Sequence, residues 1–439
     1  MPRFMLGRTH VPHRKNTAEA PAQRMPAPEQ VVILTSQHIG APATPIVKAG
    51  DTVYVGTKIG EASGYVSSPI HSSVSGKVKK LEPHLLSNGR SCMAIIIESD
   101  GQMTPDPEIK APTVENIDDL VSAVRESGLV GLGGAGFPTA VKLDAEKKGL
   151  IDQIVINGAE CEPYITSDTL TMIAKADKVK AGVEILEKFI SAKNIAIGIE
   201  ANKPQCIATL TEIFEGDEKV SVIPLPSTYP QGAEKILIHN TVGRVVPEGK
   251  LPADVGCLVM NVTSVAFLAE YLETGMPLVE KCVTVDGSAI KNPMNVICPI
   301  GTSIEKLIEF TGGFKSEPGK ILYGGPMMGI SVYTTEEPIM KNNNAIVAFN
   351  KKDAKLPPSR NCIHCGRCVA ACPMGLNPTL FARAMKVEDT AERVARLNEA
   401  KLMLCMECGC CSFVCPSVRP LVETNRLAKA ELRAAQAKK

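Results

Sequence analysis

Two cysteine runs near the end of the chain constrain its fold more than any other feature. The first reads Cys362-Ile-His-Cys365-Gly-Arg-Cys368-Val-Ala-Ala-Cys372-Pro373. The second reads Cys405-Met-Glu-Cys408-Gly-Cys410-Cys411-Ser-Phe-Val-Cys415-Pro416. Both follow C-x2-C-x2-C-x3-C-P, a spacing that wraps a cubane 4Fe–4S cluster. Three thiolates two residues apart sit on one tight loop and cap three iron corners. The fourth corner needs a thiolate from elsewhere, and in this pattern the fourth Cys of each run serves the other cluster.

That rule assigns Cys362, Cys365, Cys368 and Cys415 to one cluster, and Cys405, Cys408, Cys411 and Cys372 to the other. Each Pro ends its run by fixing φ and removing a donor. Four Cys also suit tetrahedral zinc. Zinc sites, however, use two separated C-x2-C knuckles rather than a triplet followed by Cys-Pro. Cys410 breaks the spacing and reads as a buried neighbour, not a ligand. Nine of the fifteen Cys lie after position 360 and six are scattered singly, a distribution of metal ligands rather than disulfides. The segments Pro378–Met385 and Thr390–Ala400, and the tail from Leu421, are rich in helix formers. The clusters are therefore expected among helices.

With 439 residues the chain is too long for one core. Its net charge is +1 and Trp is absent, so neither nucleic acid nor an anionic membrane is expected as the main partner on charge or stacking grounds. No apolar run reaches the length of a membrane span. The opening Met1–His10 lacks the apolar stretch of a secretory signal, so a cytosolic location is expected.

From Thr113 to Val222 the pattern alternates helix and strand. Thr113 is expected to cap a helix with Ile117, Leu120, Val121 and Val124 on one face, stopping at Gly128. Ile154–Ile156, Ile195–Ile197 and Val220–Ile223 read as strands. Helical spacing runs from Ile173 to Ile190, and another helix starts near Pro204. This is the order of an α/β domain with a largely parallel sheet. Within it Gly131-Leu-Gly133-Gly134-Ala-Gly136-Phe137-Pro138 satisfies G-x-G-x-x-G, but a helix precedes it and Phe137-Pro138 follows at once, so a Rossmann turn is the poorer reading. Such a loop still offers bare N–H groups to phosphate and lets a flat ring approach the backbone. Asn157-Gly-Ala-Glu160-Cys161-Glu162-Pro163-Tyr164 follows the Ile154–Ile156 strand, where ligands of open α/β sheets bind.

Together these two segments resemble the flavin and NADH loops of the complex I flavoprotein subunit. They are more similar still to the RnfC family of Rnf ion-translocating ferredoxin–NAD oxidoreductase complexes, and the resemblance covers nearly the whole chain. It implies that Gly131, Gly133, Gly134, Gly136, Lys142, Asn157 and Glu160 hold FMN, with Phe137 and Glu162 facing NAD(H). It also implies a further wall at Tyr229, Gly232 and Glu234, and a segment with Asn261 and Ser264 reaching the FMN phosphate and ribityl chain. Leu132, Ala159 and Met260 stand where the complex I pattern has Arg, Asp and Asn. No acid–base catalyst is expected.

The implied architecture is multidomain α/β. Residues 1–105 form a lipoyl-like barrel-sandwich and 106–275 an FMN/NADH-binding α/β domain. Residues 276–345 form an SLBB β-grasp module and 350–439 an α-helical ferredoxin domain. In the third, Val283–Gly287 signals a hairpin and Thr302-Ser-Ile-Glu305 a capping box. Lys77 does not sit at a Met-Lys-type tip, so a covalently carried cofactor is not expected. His10, His13, His38 and His71 show no paired ligand spacing.

The implied function is that of an NADH-dependent oxidoreductase subunit of the translocase class, peripheral on the cytoplasmic side of the membrane. It passes electrons between NADH, FMN, two 4Fe–4S clusters and an iron–sulfur partner, the B component of the Rnf complex, beside the membrane subunits that move ions. Two rival readings share these motifs: a cobalamin reductase-type NADH flavoprotein, and an electron-wiring subunit with a degenerate flavin site.

Overall fold

A computed structural model describes residues 7–437 of the chain; the first six residues of the opening segment lie outside the described residues. The first module holds two small antiparallel sheets. One is ordered Gln30–Leu34, Ser91–Ser99, Gly76–Leu85, Thr52–Val53; the other is ordered Thr44–Pro45, Lys58–Glu61, Ile70–His71. Alternation sets the inner face, since Val31 pairs with Ile97 and Ile33 with Ile95, all fully buried. Ile59, Ile70 and Val74 close the sandwich.

The second module is built on a parallel sheet ordered Val220–Leu225, Asn194–Glu200, Gln153–Asn157, Cys257–Asn261. Ile154, Val155 and Ile156 are fully buried, as expected of a strand covered on both faces, and each contributes about 1.5–3 kcal/mol. Two expectations need correction. Asn116, not Thr113, caps the helix Ile117–Glu126, its side chain accepting from the Asp119 N–H. The helical stretch from Ile173 to Ile190 is two helices, Ser167–Ala174 and Ala176–Phe189, separated at Lys175. Asn157 and Asn261 are register partners at the carboxyl ends of adjacent strands, which fixes the sheet edge where the candidate site lies.

The third module is a six-stranded mixed sheet carrying the helix Ile304–Phe310. Ser303, rather than Thr302, caps that helix; the Thr302 hydroxyl donates back to Pro299. The hairpin after Asp286 has a long connection, since the partner strand begins at Met294. Strand Ala345–Asn350 completes the sheet beyond position 345, and Gln23–Arg24 from the N-terminal segment joins its edge.

The last module is helical. Pro378–Ala384, Thr390–Glu399 and Leu421–Ala437 pack around Phe381, Leu397, Leu402, Ala428 and Leu432. Among the described residues no helix is long and apolar enough to cross a membrane.

Candidate redox site

The glycine segment is a closed loop. Val130 bridges Pro138, and Gly131 N–H donates to the Phe137 carbonyl at 2.9 Å. Its floor comes from the first turn of the helix Val262–Thr274: Ser264 Oγ accepts from Leu132 N–H at 3.2 Å. A Cβ at Gly133 would collide with the Asn261 amide, while one at Gly134 would meet nothing within 4 Å. Gly133, Gly134 and Ala135 are exposed. A bare, open ledge results, and it fits a flat ring or a phosphate chain. Phe137 is half-buried at the base of the loop.

Other modules hold the ledge. Ile39 N–H donates to Gly136 O at 3.2 Å, and Asn342 Nδ2 to Gly134 O at 3.2 Å. Leu132, in the position where an Arg is usual, is buried. A cation nevertheless lies beneath the loop, because Lys281 Nζ donates to Leu132 O at 3.1 Å. Burial pulls the Lys281 pKa down to about 8, against the opposing pull of Asp168.

The acidic segment forms the opposite side. Asn157 Nδ2 donates to Gly232 O at 2.9 Å, and Lys142 Nζ bonds Glu234 at 3.1 Å, so the structure brings both pairs together. The carboxylates of Glu160 and Glu162 are both engaged by donors of the chain itself. Glu160 accepts from Asp168 N, Thr169 N and Thr169 Oγ1 at 2.6, 3.2 and 2.6 Å, capping the helix Ser167–Ala174. Glu162 Oε1 accepts from Met327 N and Met328 N at 2.6 and 3.0 Å. Burial raises both carboxyl pKa values. The Glu160 partners lie at the helix start eight and nine residues on, and those of Glu162 more than 160 residues away, so the motif alone shows neither.

Two lysines hold the segment from behind. Lys15 Nζ donates to the carbonyls of Glu160, Glu162 and Ile165 at 2.7, 2.9 and 2.6 Å. Lys203 Nζ donates to Ala159 O at 2.8 Å and to Glu200 at 2.9 Å. Glu160 and Tyr164 both have positive φ, at 41° and 72°, a conformation uncommon for residues other than glycine. The lysine contacts bracket that strained stretch.

The cysteines of the two runs line two cavities. Cys362, Cys365, Cys368 and Cys415 line one; Cys372, Cys405, Cys408 and Cys411 line the other. Each cavity brings the C-x2-C-x2-C thiols of one run beside the fourth Cys of the other run, and Cys410 also lines the second cavity. Among the described residues no group of three or more His, Cys, Asp or Glu is arranged to hold a single metal ion; the all-thiol donor set of each cavity is the chemistry that iron–sulfur clusters take. N–H groups point at the sulfurs: Leu376 N to Cys372 at 3.3 Å, Asn425 Nδ2 to Cys405 at 3.4 Å, and His364 N to Cys362 at 3.4 Å. Hydrogen bonds of this kind raise a cluster's potential.

Tyr229 joins the two regions. Its ring is 1% exposed and packs with Val11, Met327, Ala371, Cys408 and Cys410, with Cys161 alongside. Its hydroxyl has no hydrogen-bond partner among the described residues. Burial, then Glu162, drive its pKa well above the ordinary value. Cys410 is buried and its thiol reaches Tyr229 O at 3.9 Å. The cavity of Cys372, Cys405, Cys408 and Cys411 thus adjoins the acidic segment. The cavity of Cys362, Cys365, Cys368 and Cys415 lies on the outer side, with Cys365 exposed.

Comparison with known proteins gives a consistent order of modules. Family models match as RnfC Barrel sandwich hybrid domain over 3–102 and Nuo51 FMN-binding domain over 124–270. An SLBB domain matches over 282–331 and a 4Fe-4S dicluster domain over 358–432. The C component of the Na(+)-translocating ferredoxin:NAD(+) oxidoreductase complex of Acetobacterium woodii is 46% identical over 86% of both chains. The proton-translocating counterpart of Clostridium ljungdahlii is 43% identical over 84% of this chain and 81% of its own. The C component of the ion-translocating oxidoreductase complex of Rhodobacter capsulatus is 36% identical over 97% and 82%. Among solved structures, an NAD+-reducing [NiFe]-hydrogenase chain aligns at TM-score 0.52 and 19% identity, covering 74% of this chain and 67% of that one. That likeness is one of fold.

Proposed function

This chain belongs to the RnfC family of ion-translocating ferredoxin:NAD+ oxidoreductase complexes, and from that premise we propose that it is the NAD(H)-side electron-transfer subunit of such a complex. It works as a peripheral subunit, beside an iron–sulfur subunit and the membrane subunits that move ions. The division at 1–105, 106–275, 276–345 and 350–439 is part of the same reading. FMN converts the two electrons of a hydride into single electrons that iron–sulfur clusters carry.

The residues divide the remaining work. Gly131, Gly133, Gly134 and Gly136 leave a ledge for the flavin, with Asn261 and Ser264 as its floor and Lys281 as a cation beneath. Asn157, Gly232, Lys142 and Glu234 form the facing wall, and Phe137 flanks the nucleotide. Glu160 and Glu162 act from behind, as braces of the backbone. Cys372, Cys405, Cys408 and Cys411 hold the inner cluster; Cys362, Cys365, Cys368 and Cys415 hold the outer one. Tyr229 and Met327 exclude water between the flavin wall and the inner cluster, which lowers the local dielectric there.

The observation that carries this reading is the single buried cluster shared by Tyr229, Met327 and Cys408. It makes a dry, continuous contact from the acidic segment to the inner cysteines. The test is reconstitution of the full chain with FMN, iron and sulfide, followed by NADH titration. NADH is expected to bleach the flavin band, and EPR of the reduced protein to show two clusters. A folded, cluster-loaded chain that retains no flavin would overturn the proposal.

A further inference from the structure

The charge of this protein is unevenly distributed. Residues 350–439 carry sixteen Lys and Arg against eight Asp and Glu, while the whole chain has 48 against 47. The helical module is therefore +8 and the rest −7. Position matters more than the total. Elsewhere in the module several cations are paired, Arg393 with Glu431, Arg396 with Glu392, Lys401 with Glu248 and Lys429 with Glu407, although Lys386 and Arg433 are not among the described residues' ion pairs.

The mouth of the outer cavity is different. Arg383 and Arg419 line it together with the thiols of Cys362, Cys365, Cys368 and Cys415. Arg360 is tied beside them through its N–H to the Ser417 carbonyl at 2.9 Å, and Arg367 adjoins Cys368. Arg360, Arg367 and Arg383 are exposed, and none of the four arginines forms an ion pair among the described residues. No Asp or Glu occurs between positions 354 and 387. Inside this basic rim lie exposed apolar side chains: Ile363 at 67%, Leu380 at 42% and Val369 at 38%.

Solvated ion pairs cost little to form, so four guanidiniums left unpaired around an apolar patch point to an anionic surface that arrives from outside. An apolar patch within a charged rim is the anatomy of a contact surface. A rim of one sign steers the encounter and orients it before contact. We propose that this mouth is the docking face for an acidic iron–sulfur protein, which exchanges electrons there with the outer cluster. This rests on the functional reading above and adds where, and by what chemistry, the partner binds. An interface of this kind is small and transient, with a strongly salt-dependent rate.

The experiment uses the full chain loaded with FMN and both clusters, and a purified acidic two-cluster ferredoxin as probe. Each reduced ferredoxin cluster gives one electron, so two reduced clusters, NAD+ and one proton give two oxidised clusters and NADH. The paired variant Arg360→Glu/Arg383→Glu is compared with wild type, with Arg367→Gln/Arg419→Gln as a second pair. Iron content and melting temperature confirm that each is folded and loaded. The second-order rate with ferredoxin is expected to fall at least tenfold at low salt in the first pair, the gap closing at high salt. Flavin bleaching by NADH should stay within twofold in every variant, so its loss in wild type would strike the functional reading and not the docking face. Ferredoxin rates indifferent to salt and to both pairs would overturn the proposal. So would variants that lose binding to phosphatidylglycerol vesicles while their ferredoxin rate is intact, since the face would then be a membrane contact.

Discussion

Glu162 Oε1 accepts hydrogen bonds from the backbone N–H groups of Met327 and Met328, at 2.6 and 3.0 Å. A side chain of the flavin module thereby fixes a loop of the third module. Met327 in turn packs on Cys408, and Arg426 Nη2 of the helical module donates to Met328 O at 2.7 Å. Three modules meet through one carboxylate. If its role is to brace the loop, an oxygen acceptor suffices. Glu162→Gln should keep cluster reduction within about threefold of wild type. Glu162→Ala leaves the part-buried Met327 N–H unsatisfied, costing about 1–3 kcal/mol, and should slow reduction more than tenfold. Stopped-flow traces of the cluster bands distinguish the two; a Gln variant as slow as Ala would mean that the charge matters instead.

The grouping of thiols around two cavities predicts crossed damage. Cys415→Ser should remove the cluster held by Cys362, Cys365 and Cys368, leaving the other intact. Cys372→Ser should remove the cluster held by Cys405, Cys408 and Cys411. EPR with iron counting on each purified variant checks this, and damage within the mutated residue's own run would refute it.

The cysteine grouping was legible because ligand spacing is local and the exchange of fourth thiols is a property of the pattern. The parallel sheet was legible from its periodicity. Lys281 was readable too: in the strand Glu280–Asp286 it shares one face with Val283 and Val285, which are fully buried, so a lysine in that register had to face inward. Lys15 gave no signal, since one lysine in a polar segment looks like any other. The orientation of Glu160 and Glu162 also escaped the sequence. Their partners, a helix start and a loop more than 160 residues away for Glu162, are set by tertiary packing.

The two glycines of the ledge should respond differently to a methyl group. At Gly133 it collides with the Asn261 amide, which also caps the helix Val262–Thr274. Gly133→Ala should therefore lower both melting temperature and flavin affinity. At Gly134 the space is open. Gly134→Ala should change stability by no more than about 0.5 kcal/mol, as surface substitutions do, yet weaken FMN binding by about tenfold, or 1.4 kcal/mol. Fluorescence titration of FMN beside thermal melts separates the effects. Full affinity in Gly134→Ala would place the flavin elsewhere.

Lys15 belongs to a strap that runs from the inner cluster to the acidic segment. Gly7 lies against the Cys372 carbonyl, Thr9 pairs with Tyr229 in both directions at 2.9 and 2.8 Å, and Tyr164 N–H donates to His13 O at 3.0 Å. Removing the ammonium in Lys15→Met leaves the Glu162 and Ile165 carbonyls without their donor and the Glu160 carbonyl with only the long contact from Lys203 Nζ at 3.5 Å. Burial of the stem is retained, so the global fold should survive. Amides of residues 158–166 should exchange faster by about tenfold or more, and flavin affinity should fall; Lys15→Arg should restore much of both. Unchanged exchange in Lys15→Met would show that the segment holds its shape without the strap.

Lys341 gives the chain a defined pH response. It is fully buried, and its Nζ donates to Pro69 O and Gly128 O, both at 2.7 Å, which are the two acceptors a neutral amine can serve. Burial pulls its pKa down to about 7 from an ordinary 10.5. A folded pKa below the unfolded one means stability fully present above the unfolded value and lost as pH falls through about 7. Between those limits the unfolded chain carries one more proton, and stability rises with pH by about 1.4 kcal/mol per unit. Lys281 acts with the same sign, its folded pKa being about 8. Lys341→Met removes one proton's share of the slope whatever it does to the absolute level. Melting temperatures at about pH 8 and pH 9.5 should therefore rise by a few degrees less in the variant than in wild type. Parallel curves would mean that Lys341 stays charged in the fold, with the two carbonyls binding an ammonium.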